Sequence, residues 1–288
     1  MKSYKNIYPK LCSYHNLEKA YKKARKNKCS QEYVKEFEKD KTNNILKLQD
    51  ELESLKYHPQ PLTRFILRDP KTRVIRKSEF RDRIVHHAIV NILEPIYEKT
   101  FIYDSYANRR GKGTSGALKR LDIFLRKVTE NGCCTRYASF RRMTKGYVLK
   151  ADIKHFFDSV DQGILLNIFR RKIKDAKMMW LLEKIIKNFE RKDKGMPLGS
   201  MTSQFFANVY LNEMDYFIKH ELRMKYYIRY VDDFIILHKN KKILEGCNEK
   251  IGGYARGIKL ELHPQKSKVY PLCKGIAFLG FRCFYHYK

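Results

Sequence analysis

Apolar residues follow a helical spacing in the first part of the chain. In residues 1–60 they recur every three or four positions, which predicts two helices with a break near residues 27–30. The second helix is expected to end before Pro59 and Pro61, because proline interrupts helical hydrogen bonding. Its predicted buried face consists of Val34, Phe37, Ile45, Leu48, Leu52 and Leu55.

From residue 62 the pattern alternates, and it then becomes helical again. Residues 62–78 predict a β-hairpin with its turn at 69–72, where polar residues and a proline separate two β-prone runs. Residues 80–98 predict an amphipathic helix that Pro95 limits in length. A basic loop with three glycines at 103–116, a helix to about residue 130 and a basic connection at 131–145 are expected next.

The second half of the chain mixes strands with long helices. It predicts a strand at 147–153, two helices within 161–190 and a long helix that Thr202 or Ser203 caps. Two β-prone runs on either side of residues 230–233 predict another hairpin. A helix at 241–255 and strands at 258–262, 267–272 and 276–284 are expected after it. Long helices combined with separate hairpins predict an α+β fold.

The charge of the chain points to a polyanionic partner. Its 61 lysines and arginines against 31 acidic residues give a net charge of +30, far more than a solvated basic face needs. Nucleic acid is the natural partner for such a charge. An anionic membrane surface is the alternative, but neither a long apolar stretch nor a signal-like N-terminus supports it. A hydrophobic content of 43% argues against a disordered basic tail.

The cysteine pattern favours a reducing compartment. The seven cysteines include no C-x-x-C pair, and adjacent Cys133 and Cys134 form a poor chelate. The odd number of cysteines and the missing signal sequence favour free thiols in a cytoplasm, either bacterial or phage-encoded. The nine histidines show no zinc-ligand spacing.

Three aspartates at the ends of predicted strands are candidates for chemistry. Asp232 and Asp233 join two β-prone runs, and Asp152 ends an apolar strand 80 residues earlier. An Asp-Asp pair is also ordinary turn chemistry, and a lone acid at a strand end is often a helix cap. Adjacent acids among apolar residues repel each other and lose solvation, which favours a compensating cation. Carboxylates at two neighbouring strand ends fit the two divalent ions of phosphoryl transfer.

A basic segment accompanies these acids. Between residues 64 and 83 there are eight lysines or arginines and three acidic residues. A basic hairpin tip suits phosphate groups. A solvated edge strand protected by charge gives the same pattern, so both interpretations stay open from composition alone.

The acidic motifs resemble the palm of a reverse transcriptase. The resemblance is carried by Asp-Ile-Lys-His-Phe-Phe-Asp-Ser-Val, which begins at Asp152, and by Tyr-Val-Asp-Asp, which begins at Tyr230. His-Pro-Gln-Lys-Ser from His263 and Phe-Leu-Gly-Phe from Phe278 are similar to later palm motifs and to the primer grip. The resemblance implies a right-hand polymerase in which an antiparallel palm sheet is backed by helices.

Two further stretches extend the resemblance towards the N-terminus. Arg-Val-Ile from Arg73 and Phe-Arg-Asp-Arg-Ile-Val from Phe80 resemble the fingers. Leu-Glu-Pro-Ile-Tyr from Leu93 and Ser-Tyr-Ala-Asn-Arg-Arg-Gly-Lys-Gly from Ser105 resemble the bacterial, group II intron-like branch. The implied activity is that of an RNA-directed DNA polymerase, a nucleotidyltransferase acting on template RNA, cDNA and dNTPs, with no membrane partner.

The stretch at 195–211 narrows the resemblance. Intron-type enzymes usually carry Pro-Gln-Gly where this chain has Thr202, Ser203 and Gln204, a version similar to reverse transcriptases of diversity-generating retroelements. That similarity implies error-prone copying of a template-repeat RNA for mutagenic retrohoming, with a basic, oligomeric accessory variability protein as partner. A retron or phage-defence reverse transcriptase is the alternative, and a catalytically inactive RNA-binding scaffold is a third.

The resemblance assigns roles to individual residues. It implies catalysis by Asp152, Asp232 and Asp233, and binding of two Mg²⁺ ions, replaceable by Mn²⁺, at Asp152, Ile153, Asp232 and Asp233. It implies nucleotide binding by Lys71, Arg73, Phe157, Gln204 and Lys266, and template or primer binding by Arg64, Arg81, Arg83, Arg110, Lys112 and Gly280.

Several of these roles are specific. Phe157 is expected to lie under the sugar and reject a 2′-hydroxyl, and Gln204 to lie beside the nascent base pair. Lys266 is expected to protonate the leaving pyrophosphate, unless it is an ordinary surface lysine. Because side chains alternate along a strand, Asp232 is expected to bind metal more directly than Asp233. Adjacent Phe205 and Phe206 are expected to pack within their helix.

The resemblance also predicts a division of the chain. The expected parts are a basic helical extension at 1–60, fingers at 61–145, a palm with the catalytic hairpin at 146–275, and a primer-grip strand at 276–288. The sequence runs for eight residues beyond Gly280. A helical thumb is therefore expected to be short or absent.

Overall fold

The computed structural model describes residues 2–68, 72–132, 134–136, 142–189 and 193–285, with backbone only for 134–136 and 142–144. Contacts group the chain into two compact units, each built from two stretches of sequence. The first contains Met1–Thr100 and Phe157–Val209, and the second contains Phe101–Phe156 and Tyr210–Lys288. In the described ranges, no helix combines the length and the apolar character that crossing a membrane requires.

The first unit is mainly helical. Its helices are α1 (Tyr8–Cys12), α2 (Tyr14–Arg25), α3 (Glu32–Lys39), α4 (Lys41–Glu53), α5 (Phe80–Tyr97), α8 (Gln162–Lys172) and α9 (Ala176–Lys187). The long helix α10 (Met201–Tyr216) begins in this unit, and the short helix α7 (Phe156–Ser159) lies almost wholly within it. Helix α2 packs on α5, and Leu17 and Ala20 of α2 and Ile84 and Ala88 of α5 are fully buried.

Asp175 connects the first helix to a later one. Its side chain accepts hydrogen bonds from the backbone N–H groups of Ile7 and Tyr8 at 2.8 and 2.9 Å, and also from that of Met178 at 3.1 Å. One carboxylate therefore caps α9 and binds the backbone at the start of α1, which satisfies donors that helix ends leave unpaired.

The predicted second helix is divided into two. The backbone at Asp40 has φ −136° and ψ 52°, which ends α3 and starts α4 one residue later. Val34, Ile45, Leu48 and Leu52 are buried as expected, and Phe37 is half-buried. The prediction was wrong for Leu55, which is 37% exposed at a positive φ of 58° beyond the helix end.

The basic hairpin of the first unit is confirmed. Strands β1 (Thr63–Leu67) and β2 (Arg73–Lys77) pair antiparallel, with Thr63 opposite Lys77. All five residues of β1 are exposed. Most of the predicted turn, residues 69–71, lies outside the described residues.

The second unit contains a four-stranded antiparallel sheet. Its strands in spatial order are β6 (Tyr226–Tyr230), β7 (Asp233–His238), β5 (Tyr147–Asp152) and β8 (Lys268–Pro271). The inner residues of β7, at 234–237, are all buried, which indicates that both faces of this strand are covered. The helices of this unit are α6 (Thr114–Val128) and α11 (Lys241–Gly257), with the end of α10 and a π-helical turn at Phe217–Glu221.

Three expectations differ from the structure of this unit. The connection at 131–145 contains two short paired strands, β3 (Cys134–Arg136) and β4 (Arg142–Thr144). The predicted strand at 258–262 is reduced to one bridge between Ile153 and Leu262, because α11 extends to Gly257 and leaves few residues for pairing. The predicted strand at 276–284 is a hairpin of β9 (Ile276–Phe278) and β10 (Phe281–Cys283).

The start of α10 also differs from the prediction. The helix begins at Met201, so Thr202 and Ser203 lie inside its first turn and do not cap it. Ser200 precedes the helix, and its hydroxyl group is 2.8 Å from the Thr202 hydroxyl and 2.9 Å from Nδ1 of His86. These contacts satisfy the buried polar side chains at the helix entry.

Candidate active site

The predicted Asp-Asp hairpin is present, with a very short connection. Strands β6 and β7 are joined by Val231 and Asp232 alone, and Tyr230 pairs with Asp233 across the hairpin. We call these two linking residues the carboxylate turn. Val231 has φ 55°, an uncommon value for a β-branched residue. A positive φ at the first linking residue is typical of two-residue hairpins, whose backbone matches the twist of the strands.

The strand register places the first predicted acid next to the other two. Asp152 is the direct cross-strand partner of Asp233 on β7. Side chains at directly opposed positions share one face of a sheet, so these two carboxylates lie on the same face. The backbone N–H of Ile153 donates to the carbonyl of Asp232 at 3.3 Å, which ties the end of β5 to the carboxylate turn. The three aspartates are therefore collected at one end of the sheet.

Two lysines neutralise this acidic group. Nζ of Lys266 donates a hydrogen bond to Oδ2 of Asp152 at 2.9 Å. Nζ of Lys150 lies 3.7 Å from Oδ2 of Asp233 and donates to the carbonyl of Ala277 in β9 at 2.7 Å. Asp152 and Asp233 thus each face one ammonium group, which lowers the cost of bringing like charges together.

Lys266 reaches the site through a turn. The N–H of His263 donates to the carbonyl of Asp152 at 2.7 Å, which holds this segment against the end of β5. The N–H groups of Lys266 and Ser267 donate back to the His263 carbonyl at 3.2 and 3.0 Å. The His-Pro-Gln-Lys motif is therefore a compact turn that projects its lysine towards Asp152.

Sequence reasoning missed Lys150. It lies on β5 two residues before Asp152, and side chains two apart on a strand share a face. Its register partner on β8 is Lys268, also on that face. The alternation of the strand was the available signal, since a lysine at this spacing must lie beside the acid.

The surroundings of the Asp233 carboxylate favour the binding of a cation at the carboxylate turn. The pKa of Asp233 is raised to about 6, chiefly by burial; the negative charges of Asp152 and Asp232 add to the rise, and the positive charges of Lys150 and Lys266 oppose it. Oδ1 of Asp233 is buried and has no hydrogen-bond partner among the residues that the structure describes. A buried, ionised oxygen without a hydrogen-bond partner carries an uncompensated desolvation free energy. A cation bound to this oxygen would offset that free energy.

The donor chemistry fits a hard divalent ion. Carboxylate oxygens are the ligands that Mg²⁺ prefers, and three carboxylates are gathered here. Within the described ranges, however, no three His, Cys, Asp or Glu side chains are arranged to hold a metal. In this arrangement the nearest cations to Asp152 and Asp233 are the ammonium groups of Lys266 and Lys150. Metal binding therefore requires the carboxylates to exchange lysine contacts for the ion.

That Asp232 binds metal more directly than Asp233 stays a prediction, but the argument from strand alternation no longer supports it. The expectation assumed that Asp232 and Asp233 alternate along one strand. In the structure Asp232 lies in the carboxylate turn and Asp233 is the first residue of β7. The alternation argument does not apply to a residue in a turn.

The proposed nucleotide-binding residues are distributed over both units. Lys71 lies outside the described residues, and Arg73 is exposed at the start of β2. Phe157 and Gln204 are half-buried members of the first unit, and the backbone carbonyl of Phe157 accepts a 2.7 Å hydrogen bond from the N–H of Met196. Lys266 is the member of this set that contacts a carboxylate of the second unit.

Phe205 and Phe206 pack as predicted. Both are buried, and Phe206 meets Phe169 edge-on with ring centroids 5.1 Å apart. Phe205 makes a similar contact with Tyr97 at 5.9 Å. These phenylalanines belong to the core of the first unit.

The arginines proposed for template contact in the first unit differ in their surroundings. Arg64 is exposed on β1. Arg81 forms an ion pair with Glu51, with 2.5 Å between Nη2 and Oε2. Arg83 donates to the carbonyl of Ser78 at 2.8 Å and to the hydroxyl of Tyr33 at 3.2 Å. Arg81 and Arg83 are thus held by protein partners, whereas Arg64 presents its charge to solvent.

The remaining proposed template or primer residues lie in the second unit. Arg110 is exposed, and Lys112 donates to the carbonyl of Tyr103 at 2.8 Å with its Nζ above the Tyr103 ring. Gly280 has φ 86° and, with Leu279 at φ 53°, forms the two-residue turn between β9 and β10. Two successive positive φ angles are typical of a tight hairpin turn, which favours glycine.

The free thiols expected from the cysteine pattern are observed at five positions: Cys12, Cys29, Cys247, Cys273 and Cys283. Cys133 and the side chain of Cys134 lie outside the described part of the chain, so the adjacent pair stays a matter of sequence alone.

Comparison with known proteins identifies the family. The sequence profile described as reverse transcriptase (RNA-dependent DNA polymerase) matches residues 68–283, which is three quarters of the chain. Protein YkfC of Escherichia coli strain K12 is 29% identical over 279 residues, covering 82% of this chain and 70% of YkfC. The group II intron-encoded protein LtrA of Lactococcus lactis is 28% identical over 242 residues, covering 78% of this chain.

These relatives differ in length. The chain spans 37% of LtrA, and the match to nuclear intron maturase 1 of Arabidopsis thaliana, at 27% identity over 119 residues, spans 14% of that protein. The matched residues include strands β5 and β7 with Asp152 and Asp233, the carboxylate turn with Asp232, and the turn that carries Lys266. The mixed α+β fold, the antiparallel sheet with its collected carboxylates and the profile match agree: this chain belongs to the reverse transcriptase (RNA-dependent DNA polymerase) family.

Proposed function

We propose that this chain is an RNA-directed DNA polymerase that joins deoxynucleotides by a two-metal mechanism at Asp152, Asp232 and Asp233. The observation that carries the proposal is the register of β5 and β7, which sets Asp152 opposite Asp233 beside the carboxylate turn. Membership of the family supports the reaction class. The proposal assigns both ions to the side chains of the three aspartates, with Ile153 contributing at the same strand end.

The charge of the site fits this chemistry. When bound, divalent ions activate the primer 3′-hydroxyl and neutralise charge on the triphosphate. The aspartates bind and orient those ions in a half-buried site, where electrostatic stabilisation is stronger than in water. Lys266 and Lys150 hold the carboxylates until the ions arrive.

Lys266 has a second proposed role in this reaction. Its Nζ carries a proton close to Asp152, and that proton can pass to the oxygen of the departing pyrophosphate. This transfer leaves a neutral amine and a protonated leaving group, so charge is balanced without another acid.

The residues proposed to select the nucleotide come from the motifs that resemble other reverse transcriptases. Lys71 and Arg73 bind the incoming triphosphate, Phe157 excludes a 2′-hydroxyl by its bulk, and Gln204 lies beside the nascent base pair. Phe157 and Gln204 are both half-buried and therefore partly accessible to a nucleotide, which these roles require. Template RNA and growing cDNA bind through the basic surface, to which Arg64, Arg81, Arg83, Arg110, Lys112 and Gly280 are assigned.

The proposed division follows the same motifs. Residues 61–145 act as fingers, 146–275 as palm and 276–288 as primer grip, with a helical extension at 1–60. The cysteine pattern supports a reducing cytoplasm, bacterial or phage-encoded.

The biological role that the sequence favours is that of a diversity-generating retroelement. The support is the Thr-Ser-Gln sequence at Thr202, Ser203 and Gln204. In this role the template is a template-repeat RNA, the product is error-prone cDNA, and the partner is a basic accessory variability protein. A retron or phage-defence reverse transcriptase would use the same three aspartates with a different RNA. A variable-repeat pair beside the gene supports the first role, and a noncoding RNA joined to cDNA supports a retron.

A primer-extension assay tests the activity. The purified protein is given an RNA template, an annealed DNA primer, dNTPs and Mg²⁺, and extension is measured by gel electrophoresis. Asp232→Ala is expected to abolish extension, and Glu245→Ala on α11, an exposed acid paired with Lys241, is the matched control that should retain it. Extension that persists undiminished in Asp232→Ala would contradict the two-metal assignment. Failure of Mg²⁺ and dNTP to bind in any complex would favour the inactive RNA-binding scaffold.

A further inference from the structure

Three polar side chains form a buried cluster that contacts the carboxylate turn through Arg229. Tyr227 and Arg229 project from β6, and Asp215 comes from the last turn of α10. Each has a relative exposure of 0%. Arginine and aspartate are almost never fully buried unless they are paired, and burying such a pair is not by itself stabilising. The position of this cluster therefore needs an explanation beyond stability.

The geometry of the cluster is closely defined. Nε and Nη2 of Arg229 donate to Oδ1 and Oδ2 of Asp215 at 2.7 and 2.6 Å. The Tyr227 hydroxyl donates to Oδ1 of the same carboxylate at 2.6 Å. This is a bidentate arginine–carboxylate pair, in which two parallel bonds fix the orientation of the guanidinium plane.

The orientation directs a third nitrogen at the carboxylate turn. Nη1 of Arg229 donates to the backbone carbonyl of Val231 at 3.0 Å. That carbonyl belongs to the peptide group that links Val231 to Asp232. Arg229 thus holds the peptide immediately before the first aspartate of the pair.

The held peptide follows a strained residue. A β-branched side chain at φ 55° is a genuine outlier, and such conformations persist only when their surroundings enforce them. If Val231 relaxed to negative φ, the peptide would rotate and the position of Asp232 would change. Arg229 supplies the contact that opposes this rotation.

The backbone of Arg229 is itself fixed on both sides. Its N–H donates to the carbonyl of Asp104, and its carbonyl accepts from the N–H of Tyr106, both at 3.0 Å. On the other side it pairs with Phe234 of β7. These two backbone bonds and the bidentate pair with Asp215 limit how far the Arg229 guanidinium can move from the turn.

We propose that Arg229 is a positioning residue, anchored by Asp215, that holds the carboxylate turn in its strained conformation and so aligns Asp232 with Asp152. The proposal rests on the proposed function, because the alignment matters for nucleotidyl transfer. It extends that function by assigning a buried ion pair to the geometry of the site. Arg229 acts through the Val231 carbonyl and contacts neither substrate nor ion.

A triple variant separates positioning from stability. Tyr227→Phe, Asp215→Leu and Arg229→Met together replace the cluster with apolar side chains of similar size, a type of exchange that commonly leaves proteins as stable as before. The variant loses the hydrogen bond to Val231 without leaving a buried charge unpaired. We expect it to fold, with kcat for nucleotide addition lowered about tenfold or more and the KM for dNTP little changed, because misalignment affects the reacting geometry.

Hydrogen exchange provides a measurement that does not need activity. The amides of residues 231–233 should exchange faster in the triple variant, while those of residues 235–237 in the middle of β7 stay unchanged. Tyr57→Phe is the matched control, because it removes a 2.8 Å hydrogen bond between a buried tyrosine and the buried carboxylate of Asp82 in the first unit. It should lower stability and leave both kcat and exchange at 231–233 as in the wild type.

The outcomes are distinct. Unchanged exchange at 231–233 in the folded triple variant, or unchanged kcat, overturns the proposal and leaves the cluster a role in the fold alone. If the triple variant does not fold, Arg229→Lys decides by the same exchange measurement, since it keeps a positive charge beside Asp215 but loses the guanidinium fork. A wild-type protein without polymerase activity refutes the proposed function, and exchange at the turn still decides the role of Arg229.

Discussion

The ammonium of Lys266 donates a 2.9 Å hydrogen bond to Oδ2 of Asp152, although 114 positions separate the two residues in sequence. Their contact depends on the His263 turn, which is bonded to the carbonyl of the same aspartate. The sequence alone left Lys266 as either a general acid or a surface lysine. A lysine held at a candidate metal ligand is in the correct place for the first role.

Replacing Lys266 tests that role. In Lys266→Gln the side chain keeps a hydrogen-bond donor but loses its transferable proton, so kcat should fall by about 10²-fold or more while the KM for dNTP changes little. Lys250→Gln, on the exposed face of α11, is the matched control and should behave as the wild type. Single-turnover incorporation of one nucleotide measures the step. Equal rates for the two variants would make Lys266 an ordinary surface lysine.

Phe157→Ala should weaken the discrimination against ribonucleotides. If the ring lies under the sugar, its removal leaves space for a 2′-hydroxyl, and the preference for dNTP over rNTP should decrease about tenfold or more. Phe157→Leu, which keeps much of the bulk, should retain most of the preference. The ratio of kcat/KM for dNTP and rNTP on the same template measures this. A ratio unchanged by Phe157→Ala would remove the residue from sugar selection.

The carboxylate site was predictable because its signals are local. Two β-prone runs separated by two residues determine a hairpin, and an aspartate that ends an apolar strand determines where a third acid can lie. The register between β5 and β7 was not visible, yet it places Asp152 opposite Asp233. Sequence alternation could have placed Lys150 beside Asp152 but was not applied to it, and its contact with Ala277 requires the β9–β10 hairpin to lie nearby.

Tertiary contacts explain what the sequence pattern missed. Arg229 sits in a strand of apolar and aromatic residues, where periodicity assigns it no role. Its partner Asp215 lies on α10, and only the packing of that helix against β6 brings the two together. The backbone break at Asp40 was missed for the opposite reason, because helical spacing continues through it and only the dihedral angles reveal two helices.

RNA binding should depend steeply on salt. With a net charge of +30, affinity is expected to come mainly from contacts between lysine or arginine and phosphate, each of which releases counterions. For about six to ten such contacts with single-stranded RNA, the slope of log K against log salt should be about −4 to −7. Fluorescence anisotropy between about 50 mM and about 400 mM KCl measures this slope. An uncharged nucleic-acid analogue of the same sequence is the control, and a shallow slope for RNA would contradict the basic-surface interpretation.

Two adjacent histidines on α5, the buried His86 and the half-buried His87, should make the fold sensitive to acid. The pKa of His86 is lowered to about 3 and that of His87 to about 4, chiefly by burial and in smaller part by nearby positive charges. Nδ1 of His86 is 2.9 Å from the hydroxyl of Ser200, which places this ring at the entry of α10. Both rings are therefore neutral in the folded protein at neutral pH.

The sign of the effect follows from the folded and unfolded pKa values. An unfolded histidine titrates near pH 6.5, so between this pH and the folded value the unfolded chain binds more protons. The stability that a neutral His86 contributes is complete above about pH 6.5 and is lost as the pH falls towards about 3. Over that range the free energy of unfolding should decrease by about 1.4 kcal/mol per pH unit for His86 alone.

Urea unfolding between pH 5 and pH 7.5 measures this slope, a range in which most carboxylates stay ionised. His86→Asn keeps a polar group for Ser200 but removes the titrating ring. The slope of its free energy of unfolding against pH should therefore be smaller than that of the wild type by about 1.4 kcal/mol per pH unit. His58→Asn, the same exchange at an exposed histidine, is the control for the substitution itself and should change the stability at pH 7.5 little. Equal slopes for the wild type and His86→Asn would show that His86 is already protonated in the folded protein, or that another group determines the acid sensitivity of this unit.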